Sequence, residues 1–89
     1  MRGIARLKDR VYCPSCNKFG HIIQGCRHEF VDGRPIALLG HLSTRGPIIT
    51  GSRYRFENNR PVARLFDLIK CDCGGIGFII TASHTEFLE

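Results

Sequence analysis

The stretch that decides the fold is Arg60-Pro61-Val62-Ala63-Arg64-Leu65-Phe66-Asp67. The chain contains two further copies of it, Arg34-Pro35-Ile36-Ala37-Leu38-Leu39-Gly40-His41 and Arg2-Gly3-Ile4-Ala5-Arg6-Leu7-Lys8-Asp9. A second series recurs in step with the first: Ile22-Ile23-Gln24-Gly25-Cys26, Ile48-Ile49-Thr50-Gly51-Ser52 and Ile79-Ile80-Thr81-Ala82-Ser83. A period of about thirty residues that occurs three times indicates one supersecondary unit used repeatedly.

The segments that join the two series have a constant length and end in turn signals. Gly25 and Pro35 are ten residues apart, and so are Gly51 and Pro61. The dipeptides Asp32-Gly33 and Asn58-Asn59 precede the prolines and tolerate positive φ, which favours a two-residue hairpin turn. Phenylalanine occupies the matching position in every copy: Phe30, Phe56 and Phe87. Each repeat therefore predicts a strand, a tight turn and a strand.

The repeats predict an all-β fold made of three β-hairpin units. Ten glycines, four prolines and short β-rich runs favour strands, and no segment predicts an amphipathic helix of useful length. An open row of three units would leave exposed strand edges, so we expect a pseudo-threefold arrangement that closes on itself. We expect one domain over residues 1–89 with no effector extension, because the repeats use the whole chain.

Composition narrows the class of protein further. A domain of 89 residues has a small core and tends to need a staple such as a metal or disulfides. The N-terminus lacks the apolar region of a signal peptide, so five cysteines predict a metal site before a disulfide framework. The net charge of +5 comes from lysines and arginines spread along the chain, which indicates a solvated surface. Composition alone names no partner, and we predict no nucleic-acid partner.

The cysteines occur in two close pairs, and both lie in the insertions that follow the repeated stretch. Cys13-Pro14-Ser15-Cys16 and Cys71-Asp72-Cys73 are far apart in sequence, so a shared ion would tie the first repeat to the third. Zn²⁺ takes four tetrahedral ligands, thiolates among them, which fits two pairs. A thioredoxin-like redox pair would be followed by a βαβ pattern, which is absent, and would leave the second pair unexplained.

The residues leave the ligand set open at this point. Four sulfurs form one candidate set: Cys13, Cys16, Cys71 and Cys73. In the alternative sets a histidine replaces one of them, and the candidates are His41, His21 and His84. The middle repeat has no ligand in register with Cys13 and Cys71, because Arg45 occupies that position. Cys26 aligns with Ser52 and Ser83, which predicts a small packing residue outside the site.

These motifs resemble those of the PAAR-repeat proteins. Pro61-Val62-Ala63-Arg64 is a near match to the Pro-Ala-Ala-Arg motif, and Pro35-Ile36-Ala37-Leu38 and Gly3-Ile4-Ala5-Arg6 are degenerate copies. The resemblance implies a small cone of β-hairpins with a structural zinc ion near its apex. It also implies that the blunt face caps the trimeric VgrG spike of the bacterial type VI secretion system, one chain per trimer.

The same resemblance implies a mechanical role. The protein would be assembled in the bacterial cytoplasm and then leave with the spike, in transient contact with the target-cell membrane, and any effector would be carried non-covalently. An enzyme is not expected, because no nucleophile, base and orienting group can be assembled from the spacing, so we predict no catalytic residues. The competing interpretation is a zinc-ribbon-like nucleic-acid-binding protein, which fits the basic charge and the paired cysteines but leaves the triple repeat unexplained.

Overall fold

The computed structural model describes residues 2–88, which form short β-strands and no helix. The strands are β1 (Arg2–Gly3), β2 (Arg10–Cys13), β3 (Lys18–His21), β4 (Phe30–Val31), β5 (Arg34–Pro35), β6 (Leu42–Ser43), β7 (Gly46–Pro47), β8 (Phe56–Glu57), β9 (Arg60–Pro61), β10 (Leu68–Lys70), β11 (Ile76–Ile79) and β12 (Phe87–Leu88). The all-β prediction is confirmed. Nowhere in residues 2–88 is there a helix with the length and apolarity to cross a membrane.

Three short hairpins and one larger sheet account for most of the strand pairing. β4 pairs with β5, β6 with β7 and β8 with β9, while the four-stranded sheet has the order β10-β11-β2-β3. The predicted hairpin turns are present, because Asp32 and Gly33 have φ of 55° and 77°. Asn58 and Asn59 have φ of 52° and 63°, so both dipeptides adopt the left-handed conformation that a tight hairpin requires.

In the third repeat the strand pair that corresponds to β4–β5 and β8–β9 forms without a turn, because β12 pairs with β1 from the other end of the described residues. They pair antiparallel, with Arg2 opposite Leu88 and Gly3 opposite Phe87. Gly3 has no room for a side chain, since an added Cβ would overlap the carbonyl oxygen of Ser83. This pairing joins the first repeat to the third.

The three alanines of the repeated stretch form a closed ring of backbone hydrogen bonds. Ala5 N–H donates to the carbonyl of Ala63 at 3.0 Å, Ala63 donates to Ala37 at 2.9 Å, and Ala37 donates to Ala5 at 2.9 Å. All three side chains are fully buried. Isolated bridges run beside the ring, pairing Ile4 with Arg64, Arg6 with Ile36 and Leu38 with Val62. Each copy of the repeated stretch thus contacts both of the others.

Two apolar clusters make up the core. The first contains the ring alanines and the strand residues that lead toward the cysteine loops: Ala5, Val11, Ile22, Ala37, Ile48, Ala63, Ile69 and Ile79. The second contains residues in or directly after β1, β4, β5 and β9, together with Cys26 and Leu38: Ile4, Val31, Ile36 and Val62, with Leu88 of β12 packed against it. One isoleucine of each predicted Ile-Ile pair is therefore buried in the first cluster.

A tight turn follows each ring alanine, and its closing side chain caps it. The carboxylates of Asp9 and Asp67 accept the backbone N–H groups of Arg6 at 2.8 Å and Arg64 at 2.6 Å. In the middle repeat Nδ1 of His41 takes this role, 3.0 Å from the backbone nitrogen of Leu38. This shared role explains why an acidic residue or a histidine ends every copy of the stretch.

The residue before each closing side chain has positive φ, which glycine adopts most readily. Gly40 has φ of 89°, whereas Lys8 and Phe66 adopt 74° and 70°. A positive φ costs a residue with a Cβ about 1–2 kcal/mol of conformational energy. Glycine avoids this cost, but it offsets part of the gain because its unfolded chain has more conformational entropy. We therefore expect Lys8→Gly to raise the free energy of unfolding by about 0.5–1 kcal/mol, measured by urea denaturation.

Arg10→Gly is the control for this prediction, because Arg10 lies in strand β2 and is also exposed. Glycine at this paired strand position, opposite His21, should lower stability by about 0.5–1 kcal/mol. Equal destabilisation by both substitutions would contradict the strain assigned to Lys8.

Candidate metal centre

The first cysteine pair belongs to the β2–β3 hairpin. Cys13 ends β2 and lies opposite Lys18 in the register, and Cys16 lies in the connecting turn. Asn17 closes this turn with φ of 53°, which asparagine tolerates well. The turn therefore brings two sulfurs to the end of one hairpin.

The second pair lies in the loop between β10 and β11. The backbone nitrogen of Cys71 donates to Gly75 at 2.9 Å, and Gly74 donates back to Cys71 at 3.0 Å. Gly74 has φ of 92°. These bonds fold the loop tightly, so Cys71 and Cys73 point toward the same side as the β2–β3 turn.

Pairing of β2 with β11 brings the two cysteine loops together. Tyr12 lies opposite Phe78 in this register, next to Cys13. Glycines permit the close approach, because an added Cβ on Gly77 would lie 2.5 Å from the carbonyl oxygen of Tyr12, and one on Gly75 would overlap the hydroxyl of Ser15. The first repeat and the third are thus joined at the cysteines, as the sequence predicts.

The four sulfurs converge to within 4.8 Å of one another. The distance is 3.5 Å between Cys13 and Cys73 and 3.6 Å between Cys16 and Cys71. Cys71 and Cys73 are 3.3 Å apart, and all four cysteines are free thiols. A tetrahedron with metal–sulfur bonds of about 2.3 Å has edges of about 3.8 Å. The cluster could therefore hold a metal ion with only a small adjustment.

Burial and mutual hydrogen bonds shape the acidity of these thiols. Hydrogen bonding with Cys71 lowers the pKa of Cys13 to about 6, and the same interaction raises the pKa of Cys71. Burial, followed by hydrogen bonding with Cys73, raises the pKa of Cys16. Near neutral pH the lowered pKa of Cys13 favours its thiolate, whereas the raised pKa values of Cys16 and Cys71 favour their thiols.

Metal binding should release protons, because thiolates and not thiols are the ligands. At pH 7 Cys13 is mostly ionised, whereas the raised pKa values keep Cys16 and Cys71 protonated. We expect at least two protons per ion at pH 7, and a metal affinity that falls steeply as the pH drops through about 6. Calorimetric titration in buffers of different ionisation enthalpy measures this number; a value near zero would contradict ligation by these thiols.

The candidate histidines lie outside the sulfur group in the described part of the chain. His21 and His84 are exposed, and His41 is buried in the turn that it caps. Burial and the nearby Arg60 lower the pKa of His41, so its neutral ring accepts the N–H of Leu38. Of the alternatives that the sequence leaves open, the structure brings together the four-sulfur set.

Cys26 is a packing residue, as its alignment predicts. It is buried in the second core cluster and is not part of the sulfur group. Its counterparts are serines with a different local role: Ser52 Oγ accepts the backbone N–H of Arg55, and Ser83 Oγ accepts that of Glu86.

Two residues beside the cluster were not predicted from the sequence. Asp72 Oδ1 lies 3.4 Å from the Cys71 sulfur, and Arg45 Nη1 lies 4.0 Å from the same carboxylate oxygen. The signal that could have identified Arg45 is its register with Cys13 and Cys71 in the repeat alignment.

Comparison with known proteins adds one finding about the family. A family model described as PAAR motif matches residues 1–46, which is just over half of the chain. The matched range includes Cys13 and Cys16 and two copies of the repeated stretch. No curated protein matches the chain.

Proposed function

We propose that this protein is a spike tip. The chain belongs to the PAAR motif family, and members of that family are structural components of type VI secretion spikes. It would cap a trimeric VgrG-type spike, one chain per trimer, and sharpen the needle for membrane puncture. Its role would be mechanical and not catalytic.

The observation that carries this proposal is the closed hydrogen-bond ring of Ala5, Ala37 and Ala63. A trimeric spike ends in a face with three equivalent positions. One chain whose three repeats surround a common ring can offer each position a corresponding surface. A single chain can also converge to a point, whereas three separate chains would crowd the axis.

Three exposed phenylalanines supply a candidate docking surface. Phe30, Phe56 and Phe87 are 56%, 52% and 45% exposed, and each lies on a two-residue strand of a different repeat unit. Phe30 is opposite Pro35 and Phe56 is opposite Pro61, so their local settings match. Val31 of β4 belongs to the second core cluster and Leu88 of β12 packs against it, whereas Val11 of β2 and Ile79 of β11 belong to the first. The docking surface that we propose therefore lies beside the second cluster.

Replacing all three phenylalanines by serine should abolish the complex with a VgrG-type trimer. Exposed aromatics at an interface centre commonly contribute 2 kcal/mol or more each, so we expect at least a tenfold loss of affinity for each substitution. Analytical ultracentrifugation of the purified chain mixed with the trimer measures this. Phe19→Ser is the matched control, because Phe19 is 62% exposed but lies on strand β3 of the four-stranded sheet, next to the turn that carries Cys16.

Failure of the unaltered chain to form any complex with the trimer would contradict the proposed function. A complex that survives the triple substitution would instead show that docking uses another face. The exposed residues of the Ile-Ile pairs, Ile23 and Ile49, would then be the next candidates.

We further propose that the cysteine cluster holds a structural zinc ion. Cys13, Cys16, Cys71 and Cys73 would supply all four ligands, so no coordination position would remain for water or substrate. Sulfur ligands at this spacing suit Zn²⁺, and a bound ion would couple the first repeat to the third where little apolar core is available.

A further inference from the structure

The middle repeat contributes its own short hairpin beside the cysteine cluster. This hairpin, β6–β7, is stiffened by Ser43, whose hydroxyl donates to the carbonyl of Gly46 at 2.7 Å. The same Oγ accepts the backbone N–H of Arg45 at 3.2 Å and that of Gly46 at 3.1 Å. The position of Arg45 is therefore well defined, although this repeat carries no cysteine.

The backbone of this hairpin is built directly against the second cysteine loop. The backbone nitrogen of Asp72 donates to the carbonyl of Arg45 at 2.7 Å. An added Cβ on Gly46 would overlap the carbonyl oxygen of Lys70 and lie 3.7 Å from the Cα of Cys71. Arg45 is thus fixed to the segment that carries two of the four sulfurs.

The side chain of Arg45 extends between the two cysteine hairpins. Its stem covers Gly20 of β3, where an added Cβ would lie 2.8 Å from the Arg45 Cγ. Its Nη1 lies 4.0 Å from Asp72 Oδ1, the oxygen that is 3.4 Å from the Cys71 sulfur. Nε is buried and has no hydrogen-bond partner within residues 2–88. A buried N–H donor without an acceptor is costly, which indicates that the complete site supplies one.

The net charge of the metal-bound cluster suggests a role for the Arg45 guanidinium. Four thiolates around a divalent ion leave a net charge of −2, and the Asp72 carboxylate beside Cys71 adds to it. Such a charge in a partly buried site is destabilising unless a cation lies nearby. The Arg45 side chain is 22% exposed, so solvent screens its charge only in part.

We propose that Arg45 is a positioning and charge-compensating residue of the metal centre. Its guanidinium offsets the negative charge of the loaded thiolate cluster, and its unpaired Nε–H is available to a sulfur ligand. The middle repeat thus takes part in the site with a cation where the other two repeats contribute ligands. This inference rests on the proposed metal site.

The test compares zinc affinity in Arg45→Gln, Arg45→Lys and the unaltered chain, by competition with a chromophoric chelator. Changes to groups around metal ligands typically weaken binding about 10–100-fold, and we expect a loss in this range for Arg45→Gln. Arg45→Lys keeps the charge and should recover most of the affinity. The difference between Gln and the unaltered residue should shrink at high ionic strength. Arg53→Gln removes the same charge at an exposed position and should leave affinity unchanged.

Cobalt substitution supplies a second readout, because the thiolate-to-cobalt absorption reports the number of sulfur ligands separately from the affinity. We expect the thiolate-to-cobalt absorption of Arg45→Gln to show four sulfur ligands at saturation, but to saturate only at higher cobalt concentration. Unchanged affinity in Arg45→Gln, equal losses in Gln and Lys, or an equal loss in Arg53→Gln would overturn the role of Arg45. Absence of metal binding by the unaltered chain would overturn the metal site itself, which distinguishes the two failures.

Discussion

Replacing Cys13 and Cys71 together by serine should abolish stoichiometric zinc binding and lower the melting temperature by tens of degrees. Both side chains are buried, and together they link the first and third repeats through the sulfur cluster. Structural zinc binds with about 10–16 kcal/mol in small domains, and this energy contributes directly to folding. In a domain of this size each kcal/mol lost lowers the melting temperature by about 4–8 °C. Calorimetry and elemental analysis measure the two effects.

Cys26→Ser is the matched control for this double substitution. It makes the same chemical change at a buried cysteine outside the cluster, at a position where the other repeats already carry serine. We expect full zinc content and only a modest loss of stability in this variant. A double variant that keeps its zinc and its melting temperature would show that the ion binds elsewhere.

The second large effect is that of Asp67→Ala, which should lower the free energy of unfolding by about 3–5 kcal/mol. Its side chain is 2% exposed and accepts the backbone N–H of Arg64 at 2.6 Å. The Arg64 guanidinium donates to it twice more, at 3.0 Å each, and Thr50 donates at 2.9 Å. Removing the carboxylate leaves a buried arginine without its main counter-charge, in a domain whose total stability is only about 5–15 kcal/mol.

Glu57→Ala provides the comparison for Asp67→Ala in urea denaturation. Glu57 forms an ion pair with Arg55 at 3.9 Å, in which the arginine is 42% exposed. Exposed pairs contribute at most about 1 kcal/mol, so this variant should remain close to the unaltered chain. Similar losses from the two substitutions would contradict the structural role assigned to the capping carboxylate.

The fold was largely predictable because the same local sequence pattern occurs three times in the chain. Asp32-Gly33 and Asn58-Asn59 fix hairpin turns through backbone preferences that need no tertiary context, and both turns are present. Alanine recurs at the ring positions, where all three side chains are fully buried and the three backbones are hydrogen-bonded to one another. The pairing of β1 with β12 lay beyond local pattern, since it depends on both ends of the chain meeting.

The sequence predicted the cysteines of the candidate metal site, but it did not predict the residues that surround them. Cys13 and Cys16 share one turn, so their spacing alone indicates a common ligand site. Their meeting with Cys71 depends on the register of β2 against β11, which the sequence does not encode locally. Arg45 was harder still, because an arginine in a loop is usually a solvated surface residue. Its backbone contact with Asp72 and its packing against Gly20 are tertiary and have no local signal in the sequence.

Lys8 and Phe66 adopt positive φ at the position where the middle repeat has Gly40, and glycine is the residue that adopts this conformation most readily. The strain of the positive φ at Phe66 is partly offset by packing, because its ring lies edge-on to that of Phe78 with 6.5 Å between the ring centroids.

Native mass spectrometry of the purified chain mixed with a cognate VgrG-type trimer tests the proposed function most directly. We expect one species that contains three spike chains, one copy of this chain and one zinc ion. A mixture that shows only the separate components, or a complex with three copies of this chain on one trimer, would contradict a single chain capping a threefold spike.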